Sequence, residues 1–329
     1  MIKFLVIQTA FIGDVVLATA IIEKLRRFYP EAEIDFLVRK GNEGLLQGNP
    51  HLHEILIWEK KRNKLRNLGR LLLDIRGRKY DKVINLQRFA STGILTAFSG
   101  AKERIGFDKN PLSFFFDVKI KHRMDDGTHE VVRNLQLISH FTDPGMQFGP
   151  RLYPSAADTA AVEKYKRQKY CCIAPTSVWF TKQFPERQWI RLLDKLEKDM
   201  TVYLLGGPSD TASCDHIKTV TSHPKVISLA GQLSFLQSAA LMQSAVMNYV
   251  NDSAPVHFAS AMNAPVTAVF CSTIPAFGYG PLSDRSFVVE TKKALSCRPC
   301  GLHGRKACPL GHFDCAYTIT NEQLLAAIL

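Results

Sequence analysis

The sequence predicts an α/β protein built as two domains in series, each a parallel sheet covered by helices on both faces, with a cleft outside the carboxyl ends of the strands. Short apolar runs alternate with amphipathic stretches of helical length, the rhythm of strand–helix–strand units. That rhythm breaks at a segment rich in Pro, Gly and Ser over 142–157 and then resumes, so a chain of 329 residues divides into a first domain over 1–150 and a second over 151–329. Small polar or glycine-containing clusters recur just after strands, at 9–14, 175–182, 206–209 and 252–255, where open α/β sheets bind ligands.

In the first half, residues 3–9 read as a strand, 10–13 as a turn and 15–29 as an amphipathic helix stopped by Pro30. A strand over 34–39 precedes a helix over 41–47. Further strands follow at 54–58, 80–86 and 104–107, separated by helices over 65–78 and 91–98. Residues 108–128 lose the rhythm, with Pro111, three consecutive Phe and a basic run ending at Arg123, and read as an irregular excursion near a binding surface. A helix over 129–140 restores it. In the second half, helices over 159–166, 189–198, 209–219, 233–242 and 255–261 accompany strands over 170–174, 201–205, 226–229, 245–250 and 265–270.

With 46% apolar and 22% charged residues the chain can bury a sizeable core and is neither disordered nor fibrous. Its net charge of +12 favours an anionic partner: nucleic acid, an acidic membrane surface or a phosphorylated substrate. A nucleic-acid binder should interleave its basic residues with aromatics on one recognisable module, and no such module is present. The apolar opening 1–7 is interrupted by Gly13-Asp14 before any cleavage pattern, and no run is long enough to span a bilayer, so a soluble or peripheral protein is expected.

All four strand-end clusters are of a size to take a phosphate. The segment 175–189 supplies hydroxyls at Thr176, Ser177 and Thr181 and an ammonium at Lys182, a set able to neutralise a diphosphate leaving group; its alternative is a surface loop with Trp179 and Trp189 packed inward. Gly206-Gly207 before Pro208 is either a phosphate turn or an ordinary one. Asp252, Ser253, Ala254, Pro255 and His257 follow an apolar strand. Pro in the first helical turn leaves several N–H groups pointing one way, while Asp252 or Ser253 could equally do no more than cap the helix.

Taken in order, Thr9 with Ile12-Gly13-Asp14, Pro175 through Trp179 with Lys182, Pro185 and Trp189, then Gly206-Gly207, Gly231-Gln232-Leu233-Ser234 and Asp252-Ser253 with Pro255 and His257, the chain resembles the ADP-heptose:lipopolysaccharide heptosyltransferases (glycosyltransferase family 9). The resemblance covers nearly the whole chain. It implies two Rossmann-like domains facing a cleft, the GT-B type, with the acceptor on the first domain and the nucleotide sugar on the second. It further implies that Asp14 is the base on the acceptor hydroxyl, that Lys182 meets the donor diphosphate, and that Asp252 holds the heptose hydroxyls or orders the turn beside them. Ser253, Thr176 and Ser177 would surround the phosphates. The implied partners are ADP-heptose and a phosphorylated lipid A–core acceptor, for an enzyme that needs no cofactor, acts as a monomer without nucleic acid, and works in the cytoplasm or peripherally at the cytoplasmic face of the inner membrane. Ala254 and Cys271 stand where the family usually has Gly, and a Gly is also usual near Thr176; a side chain narrows the φ range and the approach of a phosphate. A related glycosyltransferase with another donor or acceptor, and a non-catalytic binding protein of the same fold, are the alternatives.

The phosphorylated acceptor gives a task to the basic residues of the first half, 60–70, Arg88 and 119–123, although a solvated face is the plain reading of each run. Gln87 and Arg88 follow directly on a strand and are the better candidates. His129 and Glu130 begin a helix and either reach the cleft or satisfy the helix start. The one adjacent carboxylate pair, Asp125-Asp126, sits in the irregular stretch as a candidate metal ligand. Cys297, Cys300, Cys308 and Cys315 make a C-x2-C-x7-C-x6-C pattern that can close a structural zinc site, or remain free thiols, or form two disulfides. A cysteine-containing tail of this kind resembles heptosyltransferase II, which adds the second heptose.

Overall fold

The computed structural model describes residues 1–124 and 126–326, so Asp125 of the acidic pair lies outside the described residues. The chain forms two compact units, Met1–Tyr153 and Pro154–Leu329.

The first unit runs β1 (Lys3–Ile7), α1 (Ile12–Phe28), β2 (Glu33–Arg39), β3 (Glu54–Trp58), α2 (Lys64–Arg78), β4 (Lys82–Asn85), α3 (Ala90–Ala97), β5 (Glu103–Phe107), β6 (Val118–Ile120) and α4 (Glu130–Gln136). Its strands make a six-stranded parallel sheet in the order β3-β2-β1-β4-β5-β6. Apolar strand residues Leu5, Ile7, Leu37, Leu56, Trp58 and Val83 meet Leu68, Leu71 and Ile75 of α2 and Leu95 of α3 on one side. Helices α1 and α4 pack against each other.

Several elements differ from the expectation. Helix α1 starts at Ile12 rather than 15, because Phe11 takes extended backbone and its N–H donates to the Asp14 carboxylate at 3.1 Å, a side chain-to-backbone cap. Gly13 and Asp14 therefore sit in the first helical turn, not before it. The helix expected over 41–47 is one 3₁₀ turn, Glu43–Leu45, bracketed by Gly41 and Gly48 at positive φ. The irregular excursion holds a 3₁₀ turn, Ser113–Phe115, and the edge strand β6, whose three residues are too few for an alternation to be visible. The helix after it ends at Gln136.

The second unit runs α5 (Ala156–Glu163), β7 (Tyr170–Ala174), α6 (Glu186–Lys195), β8 (Thr201–Leu204), α7 (Thr211–Val220), β9 (Val226–Ser228), α8 (Phe235–Gln243), β10 (Asn248–Asn251), α9 (Ala254–Ala261), β11 (Val266–Phe270), β12 (Ser286–Glu290), α10 (Asp314–Tyr317) and α11 (Asn321–Leu325). Its parallel sheet, β12-β11-β10-β7-β8-β9, is the same permutation as the first. Helix α5 begins three residues before the expected start because Ser155 and Asp158 cap each other reciprocally. Strand β12 and the two short C-terminal helices are additional. They are not appendages, since Phe313, Cys315, Ala316, Ile319 and Leu324 enter the core formed by Ile173, Val202, Leu204, Trp189 and Leu193.

In each sheet the strand order reverses direction between two neighbours, β1 and β4 in the first unit, β7 and β10 in the second. Beyond the carboxyl ends of such a pair the flanking connections diverge to opposite faces, which leaves a crevice. Among the described residues, no helix is long and apolar enough to cross a membrane.

Candidate active-site residues in the two units

In the first unit the crevice is lined from the ends of β1 and β4. Thr9 is buried, and both its carbonyl and its hydroxyl accept from Lys60 Nζ at 2.9 Å. The Lys60 ammonium also stands 4.5 Å over the Trp58 ring, and burial, helped by Arg39 and Lys64, pulls its pKa down to about 8. Gln87 donates to Gln8 Oε1, while its own Oε1 is buried without a hydrogen-bond partner among the described residues. Arg88 is exposed.

Helix α4 brings a further group that the sequence only hinted at. His129 is its N-cap, its Nδ1 accepting from Val131 N at 3.1 Å, so it does satisfy the helix start. Glu130 is 5% exposed and bonded to Arg133 at 2.8 and 2.9 Å. Burial raises the Glu130 carboxyl, Arg133 opposes the rise, and the negative charge of Asp14 adds to it, which brings Asp14 and Glu130 within electrostatic reach of each other. His122, packed edge-on against Phe107 at 4.6 Å, has its pKa driven down to about 4 by burial and by the charges of Arg88, Arg133 and Lys109. A cavity of ≈ 290 Å³ opens beside it, lined by Ile120, Lys121, Arg123, Asp126, Arg133 and Gln136. The irregular excursion and α4 thus build a predominantly cationic pocket.

In the second unit the central feature is an ion pair across the switch point: Lys182 Nζ lies 2.7 Å from Asp252 Oδ2, with both side chains largely buried. Thr273 donates to the same carboxylate oxygen at 2.5 Å. Lys182 ends a 3₁₀ turn, Phe180–Lys182, tied to β10 by Phe184 N donating to Asn251 Oδ1 at 2.8 Å. Thr176 and Ser177 are half-buried at the end of β7, with no hydrogen bond from either hydroxyl among the described residues. Ser253 is the N-cap of α9 but makes no capping bond; its hydroxyl turns back to Asn251 O at 3.3 Å, leaving the first amides of the helix, at Ala254 and beyond, without a side-chain cap. His257 is buried within α9. At the end of β8, Gly206 lies so close to Asp210 that a Cβ would fall 2.7 Å from it, and the Gly207 amide donates to the Asp210 carboxylate at 2.8 Å. That amide is already engaged.

Thr181, expected to face a ligand, is turned inward: it is 1% exposed and its hydroxyl accepts from Ser272 Oγ at 2.9 Å and Arg305 N at 2.7 Å. The cysteine-containing tail therefore braces the Lys182 turn. Arg298 in the same tail donates to the carbonyls of Cys271 and Thr273, both at 2.7 Å, and pairs with Glu290, so it holds the end of β11 beside Asp252. Arg298, Thr273 and Gly304 carried no sequence signal beyond lying near a strand end or among the cysteines.

All four tail cysteines are free. Cys297 Sγ is 4.0 Å from His312 Nε2, and burial pushes the Cys315 thiol up to about 12, with Cys300, Cys308 and Cys297 near enough to contribute. No three of their sulfurs come within 4.8 Å of one another; among the described residues the atoms that do so belong to Asp35, His53 and Glu54. Those three could hold an ion, yet the Arg78 guanidinium already bonds Glu54 and Asp35, and Tyr80 donates to Asp35.

Two parallel sheets of this order, each with its polar residues gathered at the switch point, form the framework of the GT-B type glycosyltransferases. The sequence model of glycosyltransferase family 9 (heptosyltransferase) matches residues 68–308. The chain belongs to that family. It is 28% identical over 281 residues to lipopolysaccharide heptosyltransferase 3 of Escherichia coli, covering 80% of this chain and 82% of that one. In fold it is similar to E. coli ADP-heptose lps heptosyltransferase II, with a TM-score of 0.82, 20% identity and coverage of 99% and 98%. The family 9 glycosyltransferase of Veillonella parvula gives 0.85, with 21% identity and coverage of 99% and 95%.

Proposed function

We propose that this enzyme transfers heptose from ADP-heptose, with inversion, to a hydroxyl of a phosphorylated, lipid-linked sugar of the lipopolysaccharide inner core. The first unit takes the acceptor and the second the donor. The acceptor oxygen bonds to the anomeric carbon as the bond from that carbon to the diphosphate breaks. Its proton passes to Asp14, and the electron pair leaves with ADP. Lys182 is the cation for that leaving group: Asp252 takes one of its three N–H donors and aims it, which leaves two for diphosphate oxygens. Thr176, Ser177 and the uncapped amides of α9 supply neutral donors around the phosphates. In the first unit, Gln87 Oε1 suits an acceptor hydroxyl, and Arg88 with the pocket at Lys121, Arg123 and Arg133 suits its phosphate.

The Lys182–Asp252 pair at the switch point carries this reading, since it holds an ammonium in place at the strand ends, where an anionic leaving group can meet it. The cysteine-containing tail favours addition of the second heptose, in the cytoplasm at the face of the inner membrane. Incubation of the protein with ADP-heptose and a panel of core-truncated lipopolysaccharides, followed by mass analysis, tests both. One added heptose on the acceptor that already carries one is expected. Transfer to the heptose-free acceptor would overturn the assignment to the second heptose, and no transfer to any acceptor would overturn the reading as a whole.

A further inference from the structure

Helix α2 of the first unit turns two distinct faces. Leu68, Leu71 and Ile75 are buried against the sheet. At 100° per residue, Leu65, Gly69, Leu73, Arg66, Arg70 and Arg76 fall together on the opposite side. Leu65 is 80% exposed and Leu73 71%. The sole acid of this helix, Asp74, is bonded to Arg78 at 3.0 Å, against three arginines on the exposed arc. The surface continues through Arg76, which donates to Phe98 O at 3.0 Å, to an aromatic cluster: Phe98 and Phe115 lie 5.4 Å apart, Phe115 and Phe114 4.3 Å, and Phe114 is 70% exposed. Lys61 and Arg62 extend the positive charge before the helix.

We propose that this face of α2, with Phe98, Phe114 and Phe115, docks the enzyme on an anionic bilayer. The leucines and phenyl rings enter the boundary between headgroups and acyl chains while the guanidinium groups meet lipid phosphates. Charge decides between occupants. A second copy of the chain would bring Arg66, Arg70 and Arg76 against themselves, and the apolar centre of a protein interface is depleted of charge. A bilayer surface accepts both residue types along one arc, because arginine stems lie along apolar surface while their heads stay at the phosphates. The proposal deepens the proposed function and rests on its reading of the acceptor as lipid-linked.

The test is co-sedimentation with acceptor-free vesicles of phosphatidylcholine alone or with phosphatidylglycerol, beside turnover on an acceptor stripped of its acyl chains. The wild-type protein should partition onto the phosphatidylglycerol vesicles only, and less so at high salt. Arg66→Glu and Arg70→Glu should each weaken binding about fivefold or more, and Leu65→Ser/Leu73→Ser/Phe114→Ser should abolish it with turnover on the stripped acceptor unchanged. Equal binding to both vesicle types, binding to neither, or variants that bind like wild type would overturn the proposal. A dimer in solution that the same substitutions dissociate would overturn it in favour of a contact between copies. Vesicle binding as described with no turnover on the stripped acceptor would uphold this surface and count against the proposed reaction.

Discussion

Three side chains separate chemistry from architecture. Asp14 accepts from Phe11 N, a bond that an asparagine carboxamide oxygen can keep, whereas an asparagine cannot take up a proton. Asp14→Asn should therefore melt with the wild type while kcat falls by about 100-fold or more; a folded variant with near wild-type turnover removes Asp14 from the base role. Lys182→Ala should cost about 2–4 kcal/mol in kcat/KM through lost stabilisation of the leaving group, and also stability, since the buried Asp252 carboxylate loses its cation and keeps the Thr273 hydroxyl. Adding Asp252→Asn should restore the melting temperature and leave activity low. If it restores activity as well, Lys182 acts only as a counter-ion. His122 bears on pH. Its folded pKa, about 4, lies below its ordinary 6.5, so the unfolded chain binds a proton that the folded chain refuses, and stability falls as pH drops from 6.5 towards 4. Burial drives the shift first, the charges of Arg88, Arg133 and Lys109 add to it, and Asp108 opposes it. In His122→Phe, which keeps a ring against Phe107, denaturant titrations over that window should show a shallower loss than wild type; parallel curves would contradict the assignment.

Among elements, the tail over 298–305 has a role beyond filling the core. Gly304 has φ +76°, and a Cβ there would stand 2.9 Å from Lys182 Cγ and 3.1 Å from Thr181 Oγ1. Gly311 has nearly the same φ, +75°, with nothing within 4 Å. Alanine at either position incurs backbone strain of about 1–2 kcal/mol. Only Gly304→Ala should also displace the Lys182 side chain, and the expected outcome is a several-fold rise in donor KM that Gly311→Ala does not share. Matching kinetics in the two variants would mean that the tail does not position Lys182. The strands β6 and β12 carry a lesson of the same scale. β6 has three residues, and β12 follows a stretch with one 3₁₀ turn and no α-helix, so neither has the neighbours in sequence that make a strand legible.

For the whole molecule, a net charge of +12 with basic groups gathered in the first unit predicts that salt acts on the acceptor. The Debye length falls from about 10 Å at 0.1 M to about 3 Å at 1 M, so KM for a phosphorylated acceptor should rise several-fold over that range, and KM for its dephosphorylated form should change little. Equal salt sensitivity would dissociate the charge from the acceptor phosphate. The alternation of strands and helices, their order, and the placing of Asp14, Lys182 and Asp252 after strands were all legible in the amino-acid sequence, because periodicity, helix stops and turn chemistry act between residues a few positions apart. The extent of α1 was misread, since a carboxylate inside its first turn caps the residue before it. What meets what across the sheet belonged to the tertiary structure alone. Thr181 finds Arg305 at a separation of 124 residues, turning a candidate ligand contact into a brace, and Phe184 finds Asn251 at a separation of 67. Such pairings depend on strand order and on which crossover helix covers which face, and these follow from burying the whole apolar surface at once rather than from any local pattern.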